Sequence, residues 1–270
     1  MKRIAFALLI ALTAPAAAAD RLSGLVKAHR FALDAQLREV SGLAPASANS
    51  VFAHDDEYAI IHEISLDDGR IIRSFALGKP TVPGDFEGIT RIGNVIYLTT
   101  SKGVILEAQI AKHGHRSRFN MYETGAGDIC NIEGIAPAAE AGSFLLLCKF
   151  SRKEPQSRRL QIFEWSLKNR LQPARLVVDR PYSALLPKKA AKHFRPSDIY
   201  RDSNTGELFI LTVSGGVLQL NAKGEAVRYQ PLDEKTHPQP EGLAIMANGD
   251  VIIADEGKKR AGELTVYSRR

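Results

Sequence analysis

Five short stretches of one type decide how this chain folds: Glu39-Val40-Ser41-Gly42-Leu43-Ala44, Asp85-Phe86-Glu87-Gly88-Ile89-Thr90, Asn131-Ile132-Glu133-Gly134-Ile135-Ala136, Arg195-Pro196-Ser197-Asp198-Ile199-Tyr200 and Gln239-Pro240-Glu241-Gly242-Leu243-Ala244. Each begins polar, carries Ser or Glu third, Gly or Asp fourth and an aliphatic residue fifth. Their fourth positions, 42, 88, 134, 198 and 242, stand 46, 46, 64 and 44 residues apart. A period of this size marks a repeat architecture in which each unit buries a face against the next.

Downstream of each motif the sequence has β character. Apolar runs bounded by turn residues lie at 50–53, 94–98, 144–147, 207–211 and 250–254, and a second set at 59–64, 103–108, 160–165, 216–220 and 263–267. The first four repeats carry one more run each, at 71–77, 117–122, 174–178 and 226–230. Four antiparallel strands per repeat make a propeller blade. The fifth repeat lacks its last strand, and the strand-like stretch from Leu25 to Ala32 before the first motif supplies it. An N-terminal strand closing the ring removes an open sheet edge. The expectation is an all-β, five-bladed β-propeller over residues 20–270, with six blades as the alternative if the long third interval hides one. The extra residues of that interval, around Ser151 to Arg159 and Arg180 to Phe194, read as surface insertions.

The chain of 270 residues is 44% hydrophobic and 24% charged, which excludes a disordered or low-complexity protein. It opens with Met1-Lys2-Arg3, an apolar run from Ile4 to Leu12 and an Ala-rich stretch ending at Ala19. Residues 1–19 therefore read as a signal peptide, and the mature protein as periplasmic or secreted. The apolar run is too short to span a bilayer, which needs about 20 residues. Without Lys2 and Arg3 the 36 basic residues become 34 against 30 acidic ones, a mild bias. The basic clusters, at 113–118, 152–159 and 188–192, lack aromatic interleaving and any nucleic-acid motif. They fit solvated loops, or loose peripheral contact with anionic lipid or envelope polymers, better than nucleic acid.

In a propeller the innermost strand of each blade lines a central channel, so the motif starts converge on one face. The third motif position brings Ser41, Glu87, Glu133, Ser197 and Glu241; the first brings Glu39, Asp85, Asn131, Arg195 and Gln239. The second strands return to the same face with His54-Asp55-Asp56-Glu57, Ser101-Lys102, Cys148-Lys149 and Asp255-Glu256. Asp198 joins them from the fourth motif position. Crowded carboxylates repel and raise one another's pKa unless a cation compensates them. Oxygen donors without a His or Cys set favour Ca2+, with Mg2+ as the alternative, over zinc. The competing account has Glu87, Glu133 and Glu241 capping the strand-end amides of neighbouring blades and holding the ring together. Lys102, Lys149 and Arg195 either pair with the acids or, with a cation, hold a small anionic ligand. No Gly-x-Ser-x-Gly, Walker or His-Glu-x-x-His sequence occurs.

Cys130 lies just before the first strand of the third blade and Cys148 ends the second, where it falls opposite about residue 132. A disulfide and a pair of free buried thiols both suit that placement.

The order and spacing of the five motifs, together with Ala53-His54-Asp55-Asp56-Glu57, resemble the SdiA-regulated family of exported β-propellers, which includes calcium-regulated members. The resemblance runs from about residue 25 to 267 and implies an envelope-associated propeller linked to calcium. More distantly the chain looks similar to phytase-like propellers, which implies Glu87, Glu133, Asp198 and Glu241 as channel acids. Lys102 and Lys149 stand where acids are common in such propellers. The function these readings favour is a Ca2+-holding module that presents its acidic face to a small anionic ligand or an envelope protein. The alternative is a metal-dependent hydrolase of phosphate esters or lactones, with Asp55 or His54 as base and Lys102 or Arg195 on the developing charge. A third reading is a structural envelope scaffold.

Overall fold

The structure, a computed structural model, describes residues 22–269. The signal-peptide reading of residues 1–19 lies outside them. Among the described residues there are five antiparallel sheets in a ring, a five-bladed β-propeller. The six-blade alternative is overturned. Blade one holds β2 (Val40–Ser47), β3 (Ser50–Asp55), β4 (Ile60–Ser65) and β5 (Ile71–Leu77). Blade two holds β6 (Phe86–Ile92), β7 (Val95–Thr100), β8 (Val104–Gln109) and β10 (Phe119–Glu123), the short β9 (Arg116–Ser117) having left to pair parallel with β5. Blade three holds β11 (Cys130–Pro137), β12 (Ser143–Ser151), β13 (Arg159–Ser166) and β14 (Arg175–Pro181). Blade four holds β15 (Pro196–Arg201), β16 (Leu208–Thr212), β17 (Gly216–Leu220) and β18 (Ala226–Pro231). Blade five holds β19 (Pro240–Ile245), β20 (Val251–Asp255) and β21 (Glu263–Arg269), and β1 (Leu25–Ala32) pairs antiparallel with β21 as its outermost strand.

The innermost strands β2, β6, β11, β15 and β19 each touch the next around the axis. How closely is set by the fourth motif position. A Cβ on Gly88 would stand 2.8 Å from the Cα of Gly134, and one on Gly42 would stand 3.3 Å from the Cα of Gly88. Glycine is used here because backbone meets backbone. The apolar residues fall into five clusters, one at each interface between neighbouring blades, so the core is a set of wedges rather than a single centre.

The residues inserted in the third interval pack more deeply than a surface insertion. They form the segment between β12 and β13 and two short helices, α1 (Tyr182–Leu185) and α2 (Lys188–His193). Tyr182, Leu185, Leu186, Ala191 and Phe194 are buried with Leu160 of blade three and Leu218 of blade four. The polar residues that dominate the stretch concealed an apolar side that wedges two blades together. Cys130 and Cys148 form a disulfide with Cα atoms 5.7 Å apart, and Ile132 stands opposite Cys148 in the β11–β12 register.

Candidate functional site

The motif starts and the ends of the second strands share one face, and the candidate residues divide there into three groups. The first lies at the mouth of the axis. Lys149 at the end of β12 donates to Glu133 on β11 at 2.8 Å, and the Asn131 side-chain amide donates to the other Glu133 oxygen at 2.8 Å. Glu87 and Glu241 act on the same lysine from blades two and five. Burial draws the Lys149 pKa down, but the three carboxylates outweigh it and hold the ammonium charged. One ammonium does not offset three acids. Burial, then Glu133 and Asp85, pushes Glu87 up to about 9, and burial, with Glu133, Glu256 and Asp255 against the pull of Lys149, pushes Glu241 up to about 8. Burial also raises Glu133 against the pull of Lys149. Asp85 accepts a hydrogen bond from the Ser101 hydroxyl.

The second group lies on the rim of blade one. Glu39, Asp55 and Asp56 each bring a carboxylate oxygen within 4.8 Å of the others. Asp56 enters this group in place of Glu57, the ligand expected from the sequence. β3 ends at Asp55, and Asp56 and Glu57 lie in the bend that follows, where strand alternation no longer sets which side chain turns inward. Burial, then the charges of Asp55 and Glu39, pushes the Asp56 pKa up to about 6; burial raises Asp55 in the same direction. The Oδ1 of Asp56 is buried and has no hydrogen-bond partner. Glu57 is exposed beside them, and its N–H donates to Asp55. Glu256, bonded to the Gln239 side chain, adds its charge near Glu39. Three hard oxygen donors, one of them on a carboxyl with an orphaned buried atom, fit Ca2+ or Mg2+ and offer zinc no nitrogen or sulfur.

The third group contains residues that the fold turns to internal uses. Asp198 is buried on the axis, and its carboxylate accepts the N–H of Ile199 and of Leu243 at 2.7 Å each, with Leu43 as a further amide donor. It therefore binds blades four, five and one together, the amide-capping role that the sequence suggests for Glu87, Glu133 and Glu241. Burial raises its pKa and the amides pull it back. Asp255 is buried against His237, whose Nδ1 donates to it at 2.6 Å, while Tyr267 shares a 2.7 Å hydrogen bond with the other ring nitrogen. His237 carries no signal in the sequence, because it precedes its motif in a segment with no strand pattern.

His54 lies in the interior, fully buried against Gly42, instead of on the face. Burial lowers its pKa to about 4, and its Nε2 has no partner. A ring closed off in this way has no access to a substrate, which removes it as a general base. Lys102 is exposed in the turn after β7, and the lysine that pairs with the axial acids is Lys149 instead. Arg195 is exposed on the blade-four side.

Fold and site define a five-bladed β-propeller with an acidic rim. No protein-family model matches the chain, and no curated protein matches it in sequence. Solved propellers match it in shape. One is a luciferin-regenerating enzyme, with a TM-score of 0.56 and 9% identity over 91% of this chain and 95% of that one. Another is the PQQ-bound aldose sugar dehydrogenase of Streptomyces coelicolor, with a TM-score of 0.55 and 9% identity over 90% and 97%. At that identity the likeness is one of fold alone.

Proposed function

We propose that this chain is an exported β-propeller of the SdiA-regulated kind, that it holds a divalent cation, Ca2+ before Mg2+, at Glu39, Asp55 and Asp56, and that it presents this face to a ligand or envelope partner. The observation that carries the ion reading is the convergence of three carboxylates with oxygens within 4.8 Å of one another, none of them in an ion pair among the described residues although the Arg38 charge acts on Asp55, and one oxygen of Asp56 buried and unbonded. Like charges so placed are costly until a cation joins them. Export is supported by the basic-then-apolar start and Ala-rich end of residues 1–19, and the family by the order and spacing of the five motifs.

The test is thermal unfolding of the metal-stripped protein with and without millimolar Ca2+. A ligand present at 100 times its dissociation constant and confined to the folded state adds about 2.7 kcal/mol. The expected result is a rise in Tm of several degrees that disappears in Asp55→Asn and Asp56→Asn. A Tm indifferent to both Ca2+ and Mg2+ would refute the ion reading.

A further inference from the structure

The acidic rim occupies the blade-one side of this face, and the opposite side, between blades three and four, has the reverse character. There the segment before β13, α2 and the ends of β12 and β16 enclose a cavity of about 650 Å3. Its walls carry Lys149, Arg158, Arg159, Lys192, His193 and Arg195, and no aspartate or glutamate. Two of these cations are already engaged, Lys149 with Glu133 and Arg159 with Asp179 at 2.6 Å. Arg158, Lys192 and Arg195 have no carboxylate within ion-pair distance among the described residues. Like charges drawn to one concavity without counter-charge attract an anion.

The backbone adds a second observation. Arg158 sits at φ 50°, a left-handed conformation uncommon for a side-chain-bearing residue, and its carbonyl is held by the Tyr182 N–H at 2.9 Å. Strain maintained by the surrounding fold is concentrated at binding and catalytic sites. Here the wedge that ties blade three to blade four also fixes the turn carrying Arg158 into the cavity wall.

A second chamber of about 720 Å3 adjoins the first, sharing His193, Val213 and Ser214. Its lining is mainly apolar, with Pro187, Ala190, Tyr229, Pro231 and Leu232, and Lys189 and Glu234 stand among them. Both volumes lie in the range of small-molecule sites.

We infer that the paired chambers bind an amphiphilic organic anion, its carboxylate or phosphate against Arg158, Lys192 and Arg195 and its apolar body in the adjoining chamber. This deepens the binding reading above by naming a ligand class, and it does not draw on the ion. A titration run metal-free therefore fails separately from the Ca2+ test.

The experiment is calorimetric titration of the full metal-stripped chain with octanoate, acetate and octanol. Octanoate is expected to bind at least about tenfold more tightly than either, since octanol lacks the charge for the basic wall and acetate lacks the apolar body for the adjoining chamber; tenfold corresponds to about 1.4 kcal/mol. Arg195→Ala and Arg158→Ala should each weaken octanoate about tenfold with Tm unchanged, while Lys112→Ala, which removes an exposed charge from blade two outside both chambers, leaves it intact. Octanol binding as well as octanoate would overturn the anion assignment. Acetate binding equally well would overturn the apolar chamber, and no octanoate heat at all would overturn both.

Discussion

Glu87 and Asp198 show how position decides what one carboxyl does. Asp198, on the axis, is met by amide donors from three blades and staples them together. Glu87, one strand step from the equivalent glycine, meets other acids and is pushed up to about 9. A carboxyl with a raised folded-state pKa keeps its proton in the native protein after the unfolded chain has released it. The native state then binds more protons, so stability falls as pH rises from the unfolded value to the folded one. For Glu87 and Glu241 that window runs from 4.5 to about 9 and about 8. His54 and His62, both lowered to about 4, act in the opposite sense below pH 6.5. The range from pH 7 to 9 isolates the acids. Metal-free protein should lose Tm steadily across it, and Glu87→Gln should flatten the loss. A Tm constant from pH 7 to 9 would contradict the crowding described at the axis.

At the scale of the element, the inner strands were legible because their constraint is local and repeated. A glycine or its substitute every 44 to 64 residues records the approach of one backbone to the next. Gly88→Ala tests that record, since its Cβ would stand 2.8 Å from the Cα of Gly134. We expect a loss of roughly 1–3 kcal/mol, as for other overpacked sites, read as a lower urea midpoint with an unchanged slope. A wild-type midpoint would mean that the blades separate without cost. β1 was equally readable, its bounds at Leu25 and Ala32 matching the strand pattern. The basic cavity was not. Its residues come from three separate segments, 149–159, 182–195 and 213–214, whose meeting depends on how the insertion folds, and strand periodicity says nothing about that. Taken singly, Arg158, Lys192 and His193 look like solvated loop charges. Likewise three successive acids at 55–57 do not reveal which of them turns inward, because the choice is made by the turn.

For the molecule as a whole, the five interblade clusters imply that no blade buries its apolar surface alone. Blade five depends on β1 as well, through the pairing of Leu25 with Arg269 to Ala32 with Glu263 and the ion pair of Arg30 with Glu263. Removing residues up to 32 should leave β21 as a bare edge, and the expected outcome is a lower Tm and concentration-dependent association in sedimentation. A truncated chain that stays monomeric and melts like the parent would show the ring to be closed by its inner strands alone. The face itself is bipolar, acidic over blade one and basic between blades three and four, with Lys149 joining the axial acids to the cavity wall.

The partnership of β1 with β21 also has a consequence for biosynthesis. A ribosome makes Leu25–Ala32 first among these strands and Glu263–Arg269 last, so the earliest segment waits unpaired while every other blade is produced. Ring closure is thus a completeness check written into the order of translation: a chain released early, or cut before β21, has nothing to receive its own beginning.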